Sequence, residues 1–200
     1  MTVTLPEHIG DITLKQYQEY SALEDLSEDE LNKRKIEIFA GISIDRFNDI
    51  NQSDVDGMLT QINFALTQDV EFKPRFKMKG IEFGFIPNFD KITAGEWGDI
   101  SKYNTDIETM NRLMAILFRP IVKADSFGNY NIASYKGTEE YAELMLETPM
   151  DMVQGALVFF YNLAKELQIA IPQSMEKELR KVNKHQTSLI IGDGMLHSLN

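Results

Sequence analysis

The chain has 200 residues, with 20 Lys and Arg against 31 Asp and Glu, which gives a net charge of −11. This balance disfavours a general nucleic-acid binder, because binding to phosphates needs a surplus of cations to displace counterions. We also expect no sequence-specific binding of nucleic acid. The absence of cysteine excludes disulfides, thiolate-bound metals and a thiol nucleophile.

Helix starts are marked by Ser or Thr followed three residues later by Glu, Gln or Asp, the pattern of a capping box. Five such pairs occur, Thr13/Gln16, Ser27/Glu30, Ser53/Asp56, Thr93/Glu96 and Thr105/Glu108. The first three predict an acidic helical N-terminal part over 1–70. Gly41 is expected to end the helix that follows Ser27.

The hydrophobic period changes from 3.6 to 2 after residue 70. Apolar side chains at 72, 76, 78, 81, 83 and 85 alternate with charged or small ones. This predicts a two-stranded antiparallel element near 70–86, turned at Lys79-Gly80. Pro74 has no amide hydrogen, so we expect its strand at a sheet edge. A second, weaker pair is predicted at Ile121–Lys123 and Tyr130–Ser134.

Two helices are predicted around the second hairpin. Thr105–Phe118 precedes it and ends before Pro120, while Thr138 begins a short helix after it. Thr148-Pro149 then begins a helix that is apolar on nearly every side. Its apolar window, Met152–Leu167, is shorter than the roughly 20 residues that span a bilayer, so we expect it in the core and no membrane partner.

The predicted fold class is mainly α with small β-hairpins (α+β), in a single domain spanning 1–200. Residues 71–168 form a core with the hairpin and the central apolar helix, and residues 169–200 a C-terminal helix and tail. We place Phe85 and Trp97 in the core beside the turn at Pro87. Residues 1–8 lack a basic and an apolar region, so no secretory signal is expected.

No motif in the sequence predicts catalysis. The histidines His8, His185 and His197 are dispersed and have no ligand at helical spacing. There is no G-x-S-x-G and no glycine-rich phosphate loop. We therefore expect no enzyme activity, no metal and no cofactor. A cleft that joins carboxylates with a histidine would revive the alternative of a small enzyme.

The predicted edge strand carries four cations on one face, Lys73, Arg75, Lys77 and Lys79. Lysines on edge strands often only prevent edge-to-edge aggregation. The alternative is docking on an acidic surface such as residues 11–56, which carry 12 acidic and 5 basic residues. Docking between copies would create a head-to-tail contact that closes into a homo-oligomeric ring.

The C-terminal end is apolar at Leu189, Ile190 and Ile191. Chain ends fray unless something holds them. The segment is expected either to fold back on its own core or to dock on a neighbouring chain, and it is the second interface candidate.

Several segments resemble a family of small proteins encoded among the structural genes of tailed bacteriophages, including crAss-like phages. They are Gly84–Thr93 with Gly95-Glu96-Trp97, Met114–Ile121, Tyr135–Gly137, Pro149-Met150 and Gly155–Phe160. The resemblance implies a virion component or an assembly factor, with the portal, connector or tail proteins as partners. It covers 80–167 and leaves out 1–70 and the C-terminal tail.

The leading hypothesis is a structural protein of the virion tail or neck, assembled in the bacterial host cytoplasm, that forms or joins a ring of the head-to-tail connector or tail barrel. The alternative is an assembly chaperone that is not retained in the particle. An acidic protein suits a DNA conduit, because a basic wall would bind the moving phosphates.

Overall fold

The computed structural model of the chain describes residues 3–104 and 106–166. These ranges contain eight α-helices and four β-strands. In chain order they are α1 (Leu14–Ser21), α2 (Glu28–Ala40), α3 (Ile44–Phe47), α4 (Gln52–Leu66), β1 (Arg75–Met78), β2 (Ile81–Phe85), α5 (Ala94–Tyr103), α6 (Met110–Leu117), β3 (Phe118–Ala124), β4 (Tyr130–Ile132), α7 (Ala142–Met145) and α8 (Met150–Glu166).

Three of the predicted capping boxes are confirmed. Thr13, Ser27 and Thr93 each accept a hydrogen bond from the third helical amide, and the Gln or Glu there accepts one in return. Gly41 ends α2 with φ of 66°, in the left-handed region that favours glycine. These local signals suffice because capping involves only neighbouring residues.

Three predicted helix boundaries are wrong. The N-cap position of α4 is Asn51 and not Ser53, and the Asn51 side chain makes no capping hydrogen bond. The helix predicted to begin at Thr138 begins at Ala142, because the residues from Thr138 to Tyr141 form a turn. The helix predicted to reach Phe118 ends at Leu117, because Phe118 pairs with Phe85 and begins β3. Thr105, the predicted cap of that helix, lies outside the described residues.

The sheet is larger than the predicted two-stranded element. All four strands form one antiparallel sheet in the order β1-β2-β3-β4. The edge position of β1, predicted from Pro74, is confirmed. Pairing of β2 with β3, in which Phe83 faces Pro120, joins the two predicted hairpins. No turn signal marks this contact, because helices α5 and α6 separate the two strands in the chain.

One face of the sheet is aromatic and forms the centre of the core. Phe83, Phe85 and Phe118 are at most 2% exposed. The Phe118 ring meets those of Phe76 and Phe85 edge to face, each at 5.1 Å. The predicted position of Phe85 in the core is therefore confirmed. Such pairs add about 0.5–1.5 kcal/mol each beyond their buried area.

The predicted position of Trp97 in the core is wrong, since this residue is 39% exposed. The buried stripe of α5 is Glu96, Ile100 and Tyr103, spaced by four and three residues. Trp97 lies one residue, or about 100°, away from this stripe. A charged residue therefore takes the inward position that the tryptophan was expected to fill.

Helix α8 is buried, as its uniform hydrophobicity predicts. Val153 and Ala156 are fully buried and Phe160 is 3% exposed. Two backbone hydrogen bonds join its start to the N-terminal part. The amide of Leu14 donates to the carbonyl of Thr148, and the amide of Met150 donates to the carbonyl of Ile12. None of the helices in the ranges 3–104 and 106–166 has the length and apolarity needed to cross a bilayer.

Two glycines inside helices are expected to respond oppositely to alanine. A Cβ at Gly155 of α8 would lie 2.7 Å from the carbonyl oxygen of Glu71, whereas one at Gly98 of α5 meets nothing within 4 Å. Gly155→Ala should lower the free energy of unfolding by about 1–3 kcal/mol, the usual cost of overpacking. Gly98→Ala should raise it by about 0.5–1 kcal/mol, through the reduced entropy of the unfolded chain.

Urea unfolding of both variants measures these changes, and each variant serves as the control for the other. If both alanine variants changed the free energy of unfolding by the same amount in the same direction, the close approach of α8 to the backbone of Glu71 would be contradicted.

Candidate functional site

Three of the four cations near the edge strand pair with carboxylates of their own chain. Lys73 Nζ lies 2.7 Å from Asp151 Oδ2 at the start of α8. Arg75 Nη2 lies 2.7 Å from Glu82 Oε1 on the neighbouring strand, and Lys79 Nζ lies 2.7 Å from Glu147 Oε2. The predicted interface candidates therefore also fasten β1 and its turn to the rest of the molecule.

Lys77 is exposed, as Lys73 and Lys79 are, but it differs from the other three cations because it forms no ion pair in the part of the chain that the structure describes. Exposed ion pairs contribute only about 0–1 kcal/mol, so the other cations could exchange partners at low cost. Docking through Lys73, Arg75, Lys77 and Lys79 stays a prediction. The second candidate segment, Leu189, Ile190 and Ile191, lies outside the described residues.

The acidic surface predicted for residues 11–56 is exposed. Eleven of its twelve carboxylates belong to exposed residues, with Glu37 as the exception. Lys33 pairs with Asp29 and Arg34 with Glu37 along α2. These local pairs leave a surface of negative net charge.

The sequence analysis predicted the pair of strands that forms the β3–β4 hairpin, but it assigned no role to the loop at the end of this hairpin. The Asp125 carboxylate accepts hydrogen bonds from the amides of Phe127 and Asn129, each at 2.9 Å, and from the Asn129 side chain at 2.8 Å. The hydrogen bond from the Asn129 side chain, with those from the loop amides, holds the pKa of Asp125 below its usual range. The loop is therefore fixed by its own polar groups.

This fixed loop presents an aromatic side chain to solvent. Phe127 is 89% exposed and Val122, on the same hairpin, is 65% exposed. Single exposed apolar residues are common on protein surfaces. Here two exposed apolar residues lie on one hairpin, whose loop is held in one conformation by the hydrogen bonds of Asp125. The signal in the sequence was Asp125-Ser-Phe-Gly-Asn129, in which Asp and Asn favour such a turn around the aromatic residue.

The base of the hairpin is held by a buried ion pair. Arg119 Nη2 lies 2.5 Å from Glu96 Oε1, and the two residues are 8% and 4% exposed. The Arg119 guanidinium also lies 5.6 Å from the centre of the Tyr135 ring. The Tyr135 hydroxyl donates to Asp99 on the same helix as Glu96. Helix α5 is thus joined both to the start of β3 and to the chain after β4.

Two grooves are open on the described surface. One, of about 320 Å³, lies beside the hairpin and includes the polar residues Arg119, Ser134, Lys136 and Glu140. The other, of about 360 Å³, is here called the N-terminal groove. Its apolar lining is Val3, Ile42, Ile50 and Met58.

The N-terminal groove also contains charged residues. Asp49 and Asp54 line it together with Arg46, so two carboxylates and one guanidinium stand among the four apolar side chains. The groove suits an apolar group that carries a cation nearby.

The described residues contain no group of three or more His, Cys, Asp or Glu side chains that could hold a metal ion. His8 lies beside the first turn of 3₁₀ helix, and its amide donates to Asp11. His185 and His197 lie outside the described residues. Comparisons with protein-family models, curated proteins and solved structures give no match to this chain.

The buried pair at the base of the hairpin is expected to matter more for stability than the exposed pairs of β1. Arg119→Met leaves the Glu96 carboxylate buried without its partner, which should lower the free energy of unfolding by about 3–5 kcal/mol. Lys73→Met removes an exposed pair and should cost at most about 1 kcal/mol. Urea unfolding at neutral pH measures both, and equal effects would contradict the dominant role of Arg119.

Stability should also depend on pH through Glu96. Burial alone raises the pKa of this carboxyl, but the hydrogen bonds from Thr93 and the charge of Arg119 outweigh burial and leave the pKa below its ordinary value of 4.5. Because the pKa of Glu96 is lower in the folded than in the unfolded protein, the ionised carboxylate stabilises the fold above pH 4.5. This stabilisation is lost as the pH falls from 4.5 through the pKa of Glu96 in the folded protein.

The matched variant for this dependence is Glu96→Gln, which cannot ionise. The difference in unfolding free energy between the original protein and the variant should shrink as pH falls below 4.5. A difference that stays constant with pH would show that the ionised form of Glu96 contributes nothing.

Proposed function

We propose that this chain is a structural component of a tailed-phage virion, which forms or joins a ring of the head-to-tail connector or tail barrel through protein contacts. The observation that carries the proposal is the β3–β4 hairpin, which presents Phe127 at 89% exposure on a loop fixed by Asp125. Aromatic residues are enriched at protein interfaces. A loop already in its bound conformation avoids the entropy cost of ordering on association.

The segments that resemble the phage family support this function because two of their four glycines lie where the chain is closely packed. A Cβ at Gly84 would lie 2.4 Å from the Tyr130 ring, and one at Gly155 would lie 2.7 Å from the carbonyl of Glu71. Arg119 and Glu96, which form the buried pair, also belong to these segments. The resemblance thus concerns residues that shape a scaffold and the base of its hairpin, as a structural role requires.

The charge distribution supports the same function. The carboxylates of residues 11–56 are nearly all exposed, and the whole chain has a net charge of −11. A negative surface that faces a DNA channel repels phosphates and lets them pass. The proposed location is therefore the virion tail or neck, with portal, connector or tail proteins as neighbours.

Quantitative mass spectrometry of purified particles of the phage that encodes this chain tests the proposal. A ring component should occur in a fixed number of copies per particle and should stay bound after purification in salt. The phage capsid protein serves as the internal standard, and a phage-encoded replication protein serves as the control for cellular contamination.

Abundance in the infected-cell lysate together with absence from particles would overturn the proposal and favour an assembly chaperone. Such a chaperone would use the same exposed hairpin transiently, so the two functions differ in retention and not in the contact surface.

A further inference from the structure

We propose that the β3–β4 hairpin of one copy inserts Phe127 into the N-terminal groove of a second copy, which joins the copies head to tail. The inference rests on the proposed ring function and identifies the two surfaces that would meet. Among the residues that the structure describes, both surfaces stand open, since Phe127 is 89% exposed and no described side chain fills the groove of about 360 Å³. In residues 3–104 and 106–166 of one chain, therefore, the hairpin does not occupy the groove.

The groove and the side chain match in size and polarity. An aromatic side chain buries roughly 150–250 Å² of surface, and the groove offers the apolar side chains of Val3, Ile42, Ile50 and Met58. Met58 adapts its shape to an inserted ring and makes favourable contacts between sulfur and aromatic groups. Both grooves contain charged residues, but the groove beside the hairpin is a poorer receptor, because most of its exposed lining is polar, whereas most of the lining of the N-terminal groove is apolar.

The charges around the two surfaces are complementary. Lys123, four residues before Phe127, is exposed and forms no ion pair in the described ranges. The groove contributes Asp49 and Asp54 from the acidic surface together with Arg46, so its carboxylates outnumber its guanidinium. On the hairpin side, the carboxylate of Asp125 is held by the loop amides and by Asn129. An aromatic group preceded by a cation therefore meets an apolar groove with an excess of negative charge.

A contact between two different surfaces of the same chain has a geometric consequence. Each copy in such a chain keeps a free hairpin and a free groove, so addition continues until the rotation closes a ring. The hairpin extends from β3, whereas the groove is lined by Val3, by residues in and around α3, and by Asp54 and Met58 of α4. Two different parts of the fold therefore meet at each contact, as a ring of identical subunits requires.

The absence of cysteine permits a direct test with the full chain. A Ser126→Cys variant, which keeps Phe127 and places a thiol on the exposed residue beside it, and a Met58→Cys variant are purified separately, mixed and treated with a short thiol-to-thiol crosslinker. The mixture should give a covalent dimer of the two variants, whereas each variant alone should give much less. Peptide mass spectrometry should place the link between positions 126 and 58.

The matched control is Phe64→Cys mixed with Met58→Cys, because Phe64 is a phenylalanine of α4 that is 56% exposed and does not line the groove. The pair of positions 126 and 58 should crosslink at least about tenfold more than this control. Circular dichroism checks that all three variants fold. Equal yields in the two mixtures would overturn the inference.

A second readout uses the uncrosslinked protein. Phe127→Ala should weaken self-association in sedimentation by about tenfold or more, the range expected when a central interface residue is truncated, while Phe64→Ala should leave it unchanged. The same mixed variants, built into particles, separate the two proposals. Particles that contain the protein without the link would overturn the inference alone, and a link in purified protein with none of the chain in particles would overturn the ring function alone.

Discussion

The buried ion pair between Glu96 and Arg119 is the interaction on which the arrangement of sheet, helix and hairpin depends. It joins α5 to the sheet at the start of β3, where the strand changes from buried to exposed. A buried charge is costly unless it is paired, so the two side chains hold each other in place. Helix α5, the sheet and the base of the hairpin are therefore positioned together.

Glu96 performs two tasks with one carboxylate. One oxygen completes the capping box with Thr93, and the other meets the Arg119 guanidinium. The start of α5 and the start of β3 are thus coupled through a single buried side chain. The Arg119 Nε atom is buried with no hydrogen-bond partner in the described part of the chain, which shows that the guanidinium is placed by its other contacts.

The local parts of this fold could be predicted from the sequence, and the non-local parts could not. Capping boxes at Thr13, Ser27 and Thr93 and the edge position of β1 follow from residues a few positions apart. Pairing of β2 with β3 joins chain segments that are more than thirty residues apart. The alternation of apolar and polar residues along a strand shows which face is buried, but it does not show which distant strand lies beside it. The predicted two-stranded element was therefore incomplete.

The candidate site shows the same division. The charges of β1 were visible in the sequence, but their ion pairs with Asp151 and Glu147 depend on where α7 and α8 pack. Trp97 was expected in the core beside the turn at Pro87, and the buried stripe of α5 begins instead at Glu96. The exposure of Phe127 was missed, since it depends on a hairpin that extends from the body of the fold.

The central claim is that this fold holds a fixed hairpin for contact with other subunits. Electron cryo-microscopy of the assembled protein tests that claim most directly, because it shows the hairpin in its working surroundings. The account predicts that the β3–β4 loop keeps its hydrogen bonds to Asp125 and that Phe127 is buried against a neighbouring subunit. A particle in which Phe127 remains in solvent, while other surfaces form every contact, would contradict it.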